Sequence, residues 1–459
     1  MSAVIDTTIA VPAGPGLRSA LTTGTADRAI AFDARGDISL ARFQREVRGV
    51  AAMLPDSPWA INLCEDRYRF LVAFCAATLR GQVTLLPSSR AAAVVDEVLA
   101  QHPGSYCLGD RPLVPQPPHY TCLPAELPWA DDGVQDSERL EIDDDALVAI
   151  GFTSGSTGQP TANRKHWHSF RRSTAQNLAA LADLLDRHGS THVVATVPPQ
   201  HMYGMEMSVL LPLLGPVAVH GARPFFPDDV ARALSEAITP PLLVTTPVHL
   251  RALVESGVAL PPMAGIVSAT APLPAELAQA AEARFGCEVR EVFGSTETCV
   301  FARRRTAHES AWTPLPGVRL APQPDGTAVH APHLAEPVVL ADLVELLPDG
   351  RFELRGRNAD LLEIAGKRAS LADLTRKLLA VPGVVDGVVL QLDAADSRGV
   401  RRIAALAVAP GLDEAAILAA LRRQVDPVFL PRRLRRVDAL PRNDTGKLPR
   451  HALLELLRG

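Results

Sequence analysis

Short apolar runs alternate with helical patterns along most of this chain, and this rhythm limits the folds open to it. Trp59–Cys64 and Val83–Pro87 have the character of buried strands, and Arg69–Gly81 between them is typical of a helix closed by a glycine. Further strands are predicted at His192–Val197, Leu242–Thr246, Gly265–Thr270 and Arg290–Phe293, and further helices at Asn177–His188 and Pro274–Phe285. Such alternation predicts α/β layers around a mainly parallel sheet.

The alternation of strand and helix patterns ends near Pro314, where prolines interrupt it and short β-like runs follow. Residues 348–356 are typical of a turn and a strand, with Asp349 and Gly350 at the turn. A further segment of mixed strand and helix patterns follows Gly356. We therefore predict a large N-terminal domain (residues 1–356) of mainly parallel sheets flanked by helices with a β-rich subdomain, and a small α+β C-terminal domain (residues 357–459).

Composition excludes several classes of protein. The 459 residues are 47% hydrophobic and 21% charged, which is ample for a large buried core, and the net charge of −5 argues against a general nucleic-acid binder. The six cysteines form no C-x-x-C pair, which predicts reduced thiols. We expect no signal peptide and no membrane span, and therefore a cytoplasmic protein.

The last part of the chain is locally basic. Residues 401–459 carry 12 Arg or Lys against 6 Asp or Glu. This excess has two interpretations: a solvated face of an arginine-rich protein, or a surface for an acidic partner.

A loop rich in small and hydroxylated residues, Phe152–Pro160 (FTSGSTGQP), directly follows the apolar run Ala146–Phe152. Such a loop can close its backbone around an anion and donate hydrogen bonds to phosphate oxygens. This loop, Ser268–Pro272 and the residues after Phe293 all follow predicted strands. Because ligands of parallel sheets bind beyond the carboxyl ends of the strands, we expect these segments to converge on one site.

Four segments in order along the chain carry a more specific signal: Phe152–Pro160, Val292–Thr298 (VFGSTET), Ala341–Arg368 and Leu440–Arg450 (LPRNDTGKLPR). In this order they resemble the signature of the adenylate-forming superfamily, which includes acyl- and aryl-CoA synthetases, peptide-synthetase adenylation domains and firefly-type luciferases. The resemblance implies that the protein joins a carboxylate to the α-phosphate of ATP, releases pyrophosphate and passes the acyl group to a thiol.

The resemblance also implies roles for residues of the large domain. Thr296 would touch the α-phosphate and Glu297 would bind Mg²⁺, although a carboxylate at that position could instead cap a helix. Ala269 and Thr270 stand where glycine is common in the family. The residues that would hold ATP here are Thr153, Ser154, Gly155, Ser156, Thr157, Gly158, Ser268, Ala269, Phe293, Gly294 and Ser295.

In the last third of the chain, Asp342 matches the acidic residue that accepts hydrogen bonds from the ribose hydroxyls, and Arg357 matches an arginine that also reaches the nucleotide. Lys447 matches the catalytic lysine that contacts the carboxylate and α-phosphate oxygens during adenylation. The resemblance implies that the C-terminal domain is mobile, pivots at residues 358–360 and then opens a route past Gly366 for the thiol.

Two positions depart from the family pattern. Thr161 replaces the lysine that usually ends the first loop, and Arg164 or Lys165 is a candidate to supply that charge. At the pivot, Ala359 replaces a charged residue, and Asp360 is a candidate to take over its role.

The acid pocket is predicted from the segment Pro198–Glu206, where His201 with Tyr203 behind it would flank the carboxylate, and from His249. A packed interior histidine is the alternative for His201. These bulky or polar residues favour a small or aromatic acid.

The loop followed by Arg164–Trp167 is similar to synthetases of aryl polyene and xanthomonadin-type pigment pathways, which implies a hydroxybenzoate-like acid, ATP and Mg²⁺ as cofactors, and the phosphopantetheine thiol of an acyl carrier protein as acceptor. Three alternatives stay open: a ligase that uses coenzyme A, a nucleotide-binding protein without catalysis, and a luciferase-like oxygenase.

Overall fold

The computed structural model describes residues 16–130, 140–154, 160–185, 190–324, 326–357, 361–364, 367–395, 401–443 and 446–458. These residues belong to two compact units. The first comprises the chain up to Val318 together with Ala331–Glu336, and the second comprises Arg319–His330 and the chain from Pro337 onward. The second unit therefore begins earlier than the C-terminal domain expected from sequence. The boundary predicted at residue 357 is the position of a hinge. The two compact units do not test where a hinge lies, so this boundary stays a prediction.

Two large sheets and a small one dominate the first unit. In spatial order the six-stranded sheet consists of β10 (Pro160–His166), β9 (Leu147–Ser154), β5 (Val83–Leu86), β4 (Trp59–Asn62), β6 (Tyr106–Gly109) and β7 (Tyr120–Cys122). The nine-stranded sheet consists of β17 (Thr313–Pro314), β16 (Cys299–Arg304), β15 (Val289–Ser295), β14 (Gly265–Ser268), β13 (Leu242–Thr245), β11 (Thr191–Ala195), β12 (Val217–His220), β2 (Ala29–Asp33) and β3 (Gly36–Ser39). The small sheet pairs β1 (Arg18–Ala20) with β8 (Glu141–Asp143).

The central strands of both large sheets are parallel, as the sequence predicts. They read as continuous apolar runs because helices cover both faces of a parallel sheet. The covering helices are α1 (Leu40–Met53), α2 (Arg67–Leu79), α3 (Ala92–Gln101), α4 (Trp167–Leu181), α5 (Met202–Met205), α6 (Leu211–Leu214), α7 (Pro227–Ser235), α8 (Pro247–Ser256) and α9 (Ala275–Phe285). A π-helical segment, Glu206–Leu210, joins α5 to α6.

Two elements differ from the sequence prediction. The helix expected at residues 177–188 begins ten residues earlier, at Trp167, and ends at Leu181. It begins there because Trp167 and Phe170 are fully buried apolar anchors in its first turn. Strand β10 was not predicted, since its sequence, PTANRKH, is polar. It forms because it pairs antiparallel with the buried β9 at the edge of the six-stranded sheet.

The second unit is built from small antiparallel sheets. Strands β18 (Arg319–Gln323), β19 (Gly326–His330) and β20 (Val338–Leu340) form one sheet, β21 (Asp342–Leu346) pairs with β22 (Phe352–Arg357), and β23 (Leu361–Ile364) pairs with β24 (Lys367–Ser370). Strands β25 (Asp386–Ala395), β26 (Arg401–Val408) and β27 (Arg433–Arg436) form the last sheet, accompanied by helices α10 (Leu371–Leu379), α11 (Glu414–Leu421) and α12 (Arg450–Arg458).

The β-rich stretch and the mixed α+β character of the C-terminal residues agree with the sequence prediction. Apolar side chains of α10, α11 and the last sheet form a core of their own within the second unit. The predicted α/β fold class is confirmed.

Candidate active site

The carboxyl ends of the central parallel strands bring the predicted site residues of the first unit together. Ser268, the last residue of β14, lies in register with Thr245 at the end of β13 and with Glu291 on β15. The six-stranded sheet reaches the same place, because Thr153 Oγ1 on β9 donates a hydrogen bond to Glu297 Oε1 over 3.1 Å. The expected convergence of strand ends is therefore observed.

The glycine-rich loop is described only at its two ends. Thr153 and Ser154 form the end of β9, and Pro160 and Thr161 begin β10 directly opposite them. Gly155, Ser156, Thr157 and Gly158 lie outside the described residues, so their predicted phosphate contacts stay predictions.

Glu297 lies in the tight connection between β15 and β16. Ser295 and Thr298 bridge this turn by reciprocal hydrogen bonds: Ser295 N donates to Thr298 Oγ1 over 3.1 Å, and Thr298 N donates to Ser295 Oγ over 3.2 Å. Gly294 is required there, because a Cβ would lie 2.2 Å from the carbonyl oxygen of Cys299. A strand, not a helix, follows Glu297, so the interpretation of this residue as a helix cap is wrong.

Thr296, in the same turn, packs against the backbone of β9. A Cβ on Gly151 would approach the Thr296 Cγ2 methyl to 2.7 Å, so a glycine at 151 leaves the space that Thr296 occupies. Thr296 is half-buried. The turn thus presents Thr296 and Glu297 beside the start of the glycine-rich loop.

Glu297 suits a magnesium ion that is shared with a nucleotide. One carboxylate oxygen accepts from Thr153, and the side chain is half-buried. Among the described residues, no group of three or more His, Cys, Asp or Glu could hold a metal ion. Mg²⁺ is commonly held by one or two carboxylates together with phosphate oxygens and water, so a single carboxylate next to a phosphate loop fits it.

The segment expected against adenine has two unusual features. Ser268 is fully buried, and its Oγ has no hydrogen-bond partner within the described part of the chain. Thr270 adopts a φ of 84°, in the left-handed region that favours glycine, and it occupies a position where the family commonly has glycine. Phe293, on the neighbouring strand, lies with its ring centroid 4.9 Å from Phe301 and 5.2 Å from Trp312.

The three residues predicted for the acid pocket have different environments. Tyr203 is buried, its hydroxyl donates to the carbonyl of Val267 over 2.9 Å, and burial raises its pKa, so this side chain supports the wall from behind. His249 Nδ1 lies 2.8 Å from Thr196 Oγ1, and its ring packs edge-on against Phe225. His201 is partly exposed at the start of α5.

The predicted nucleotide residues of the second unit are neighbours. Asp342 and Arg357 lie directly opposite each other on β21 and β22. The pivot residues Asn358, Ala359 and Asp360 and the thiol-route residue Gly366 lie outside the described residues.

Lys447 is exposed on a turn of the second unit that hydrogen bonds within itself. Its N–H donates to Asn443 Oδ1 over 2.9 Å, and Asn443 N donates back to the Lys447 carbonyl over 2.9 Å. Gly446 adopts a φ of 79°. Arg442 anchors the turn, because its guanidinium makes two hydrogen bonds to the Asp386 carboxylate and a third to the Gly446 carbonyl.

Two side chains of β10 lie close to Glu297. Sequence reasoning missed Asn163, and it named Lys165 only as a candidate for the charge that is absent at Thr161, whereas the structure places Lys165 buried against the main chain. Asn163 Nδ2 lies 3.5 Å from Thr153 Oγ1, and Lys165 Nζ donates to the Glu297 carbonyl over 3.0 Å. Thr161, Asn163 and Lys165 alternate along β10 and so share one face, which is the signal that could have identified the strand.

Two further buried residues near this turn were not predicted. Glu206 accepts from Ser173 Oγ and Asn177 Nδ2; burial raises the pKa of its carboxyl, while these hydrogen bonds and the positive charge of Lys165 oppose the rise. His333 Nε2 donates to the Thr298 carbonyl over 2.6 Å, and burial lowers the pKa of His333 to about 4.

A family model for AMP-binding enzymes matches residues 61–329, which is more than half of the chain and includes both the glycine-rich loop and the Glu297 turn. The chain belongs to the AMP-binding enzyme family. It is an acid–thiol ligase of the AMP-forming type, which activates a carboxylic acid with ATP as the acyl-adenylate. The alternative of a nucleotide-binding protein without catalysis is therefore set aside.

Known relatives support this assignment. The AMP-binding enzyme is 30% identical over 323 residues to a 4-coumarate–CoA ligase of Rhodobacter capsulatus, an alignment that covers 70% of this chain and 79% of the relative. It is also 26% identical over 391 residues to a sulfoacetate–CoA ligase of Cupriavidus necator, with 75% and 73% of the two chains covered.

The fold of this AMP-binding enzyme is similar to that of o-succinylbenzoate CoA synthetase from Bacillus subtilis in complex with its acyl-adenylate intermediate. The TM-score is 0.77 at 18% identity, over 94% of this chain and 96% of the other. Among the described residues of the enzyme, none of the helices has both the length and the apolar composition needed to cross a bilayer.

Proposed function

We propose that this enzyme activates a small aromatic carboxylic acid, of the hydroxybenzoate type, as its acyl-adenylate and then transfers the acyl group to the phosphopantetheine thiol of an acyl carrier protein. The observation that carries the first half is the Thr153–Glu297 hydrogen bond, which joins the phosphate loop to a single carboxylate at the strand ends. Formation of an acyl-adenylate needs charge neutralisation on the polyphosphate above all, and this arrangement can provide it.

Each residue of the first unit has one task in this reaction. Residues 153–158 hold the leaving phosphates through backbone N–H groups and hydroxyls, and Thr296 orients the α-phosphate. Glu297 holds Mg²⁺, which when bound neutralises charge on the phosphates. Ser268, Ala269 and the strand end Phe293–Ser295 bind the adenosine.

The second unit supplies the remaining contacts. Asp342 accepts from the ribose hydroxyls, and Arg357 opposite it reaches the nucleotide. Lys447 contacts the carboxylate and the α-phosphate as the acid attacks, and a single ammonium on a flexible side chain suits a charge that must later leave. We propose that residues 357–459 rotate about 358–360 between the two half-reactions, so that the thiol arm enters past Gly366.

The aromatic nature of the acid is supported by two observations. His249 and Phe225 are in edge-on contact, with ring centroids 5.3 Å apart, near the ends of the central strands, and such surfaces favour a planar substrate. The relative from Rhodobacter capsulatus is named for 4-coumarate, which is also a hydroxylated aromatic acid.

A carrier protein as acceptor is supported by charge. Arg432, Arg433 and Arg436 are exposed along and beside β27, in the part of the chain with an excess of basic residues. Carrier proteins are usually acidic, and complementary charge speeds association. Coenzyme A is the second candidate, because the two relatives described above, from Rhodobacter capsulatus and Cupriavidus necator, are named as CoA ligases. A cytoplasmic location stays a prediction.

The acid is identified by ATP–pyrophosphate exchange with a panel of aromatic, short aliphatic and long-chain carboxylic acids. We expect exchange with hydroxybenzoate-like acids and little with long chains. Exchange that is strongest with long-chain acids would contradict the aromatic pocket, and exchange with no acid of any class would contradict adenylation by this site.

The acceptor is identified by single-turnover transfer from the preformed adenylate to purified phosphopantetheinyl carrier protein and to coenzyme A. We expect faster transfer to the carrier, with a rate that falls as salt is raised. A triple substitution of Arg432, Arg433 and Arg436 to Ser should slow transfer to the carrier without changing pyrophosphate exchange. Preference for coenzyme A would remove the carrier protein from the proposal and leave adenylation intact.

A further inference from the structure

The main chain that follows Glu297 is fixed by buried side chains from outside the predicted site. Lys165 Nζ donates to the carbonyl oxygen of Glu297 itself over 3.0 Å. His333 Nε2 donates to the next carbonyl, that of Thr298, over 2.6 Å. The carbonyl groups of Glu297 and Thr298 thus each accept a hydrogen bond from a side chain.

The third contact is made by a carboxylate. Val300 N donates to both oxygens of Glu206, over 3.1 and 3.0 Å, and Ser173 Oγ donates to Oε1 of the same group. Because every one of these partners is a donor, they favour the ionised carboxylate. The buried residues Lys165, Glu206 and His333 are called the clamp residues below.

The clamp residues come from three separate elements. Lys165 lies on β10, Glu206 opens the π-helical segment, and His333 lies in the Ala331–Glu336 segment that returns to the first unit. His333 is itself oriented, since its Nδ1 lies 2.6 Å from the side-chain amide of Gln176 on α4. A turn held from three directions cannot shift without disturbing all three elements.

Stability alone does not explain this arrangement. Lys165 is 4% exposed, Glu206 1% and His333 2%, and burying charged or polar groups costs free energy that apolar side chains of the same size would not. Their hydrogen bonds converge on the main chain of residues 297–300, and Cys299 within it adopts a φ of 56°. The arrangement therefore fixes an unusual backbone conformation at one place.

We propose that Lys165, Glu206 and His333 are positioning residues for Glu297: they hold the backbone of the turn so that the carboxylate is oriented for Mg²⁺ before the nucleotide binds. This inference rests on the proposed role of Glu297. Lys165 accordingly acts on the metal site indirectly, through its hydrogen bond to the Glu297 carbonyl. Partners of this indirect kind commonly change metal affinity by about 10- to 100-fold when they are replaced.

The test is the affinity of the full-length enzyme for Mn²⁺ in the presence of ATP and without acid, followed by electron paramagnetic resonance of free Mn²⁺. Lys165→Met should weaken Mn²⁺ binding by about tenfold and raise the half-saturating Mg²⁺ for pyrophosphate exchange by a similar factor. At saturating Mg²⁺ its kcat should return to within about threefold of the wild-type value, because the catalytic groups themselves are unchanged.

Arg290→Met is the matched control, because Arg290, on β15 of the nine-stranded sheet, is like Lys165 a buried strand cation but bonds Asp183 and Glu288, away from the clamp. We expect it to lower the unfolding midpoint and to leave Mn²⁺ affinity unchanged. Glu297→Gln is the reference for a damaged metal site. If Glu297→Gln binds Mn²⁺ weakly but a folded Lys165→Met binds it like wild type, the positioning role of the clamp residues is wrong and the metal role of Glu297 stands. If Glu297→Gln also binds Mn²⁺ like wild type, both the positioning role and the metal role of Glu297 are wrong.

A second pair of variants decides the matter should Lys165→Met fail to fold. His333→Leu removes the donor to Thr298, whereas His333→Gln retains an amide donor. We expect weaker Mn²⁺ binding in the leucine variant and partial rescue in the glutamine variant. Equal, wild-type affinity in both would overturn the proposal.

Discussion

The two charged groups most important to the proposed reaction, Glu297 and Lys447, are presented in opposite ways. Glu297 lies on a turn whose main chain is bonded by buried side chains from three other elements. Lys447 is exposed on a turn that is held mainly by its own hydrogen bonds and by one arginine, Arg442.

The difference corresponds to what each group must do. A metal ligand that serves throughout the reaction gains from a backbone fixed in advance, because no reorganisation is then needed when charge develops. A cation that must arrive for one step and leave for the next gains from exposure and from an attachment that is rigid only locally. The comparison can be tested by disturbing each side in turn.

Replacing Lys447 should have the largest effect. Lys447→Ala should lower the rate of pyrophosphate exchange by about 100- to 1000-fold, because it removes a cation that stabilises the charge developing on the α-phosphate. ATP binding and the unfolding midpoint should change little. Lys377→Ala, another lysine of the second unit, is the control and should be nearly silent. A Lys447→Ala variant with unchanged exchange would show that the exposed turn has no part in adenylation.

Replacing Glu297 should come next. Replacing a residue that contacts a metal only indirectly commonly lowers metal affinity or activity by about 10- to 100-fold. Glu297 is proposed to bind the metal directly, so we expect Glu297→Gln to lower the rate of pyrophosphate exchange by about 100-fold at physiological Mg²⁺. Titration with Mg²⁺ should recover part of the loss, whereas Lys447→Ala should show no such recovery. Glu309→Gln, an exposed glutamate in the connection after β16, is the control. Loss that is insensitive to Mg²⁺ would contradict a metal role.

Gly446→Ala tests whether the lysine turn must keep its shape. Gly446 adopts a φ of 79°, where a Cβ costs about 1–2 kcal/mol, so the turn should relax and misplace Lys447. We expect about a tenfold fall in kcat, because small misplacements of a catalytic group are costly. Gly411→Ala, in the same unit with open space for a Cβ, is the comparison. Equal kcat in the two variants would mean that the shape of the turn is irrelevant.

Thr161→Lys restores the family residue at the end of the phosphate loop. Thr161 is exposed and lies opposite Thr153, so the added charge should favour the polyphosphate and lower the KM for ATP by about threefold. Ala162→Lys places the same charge on the opposite face of β10 and should not do so. A lower KM in both variants would indicate a general charge effect.

The smallest effect is expected at the other end of the strand that leads to Glu297. Arg290 donates to Asp183 and lowers the pKa of that carboxyl from 3.8 to about 2, so the pair stabilises the fold fully above about pH 4 and progressively less as the pH falls towards 2. Because Asp183 is largely exposed, Asp183→Asn should cost only about 0.5 kcal/mol at pH 7. Urea unfolding at several pH values should show this difference shrinking below pH 4, with no change in Mg²⁺ dependence at pH 7. A difference that is constant with pH would contradict the ion pair.

Sequence reasoning was most successful for the buried strands, because runs of apolar residues have a direct structural meaning there. Buried parallel strands such as β4, β5 and β14 are runs of apolar residues because both of their faces are covered, and they were predicted to within one or two residues. It failed at β10, whose polar residues look like a loop and become a strand only through pairing with β9. The position of Tyr203 behind His201 stays a prediction, and local sequence does not indicate the partner of its hydroxyl, the Val267 carbonyl 64 residues away.

The sequence by itself determined the fold class and the order of the motifs, and it is the source of the proposed roles of Glu297 and Lys447, because each of these depends on local pattern or on residues whose chemistry is specific. Only the tertiary structure decided that Glu297 lies between two strands and that Lys165, Glu206 and His333 hold its backbone. These three residues are far apart along the chain and carry no shared pattern. Their common target is a run of main-chain N–H and C=O groups, which every residue possesses and which no sequence can therefore distinguish.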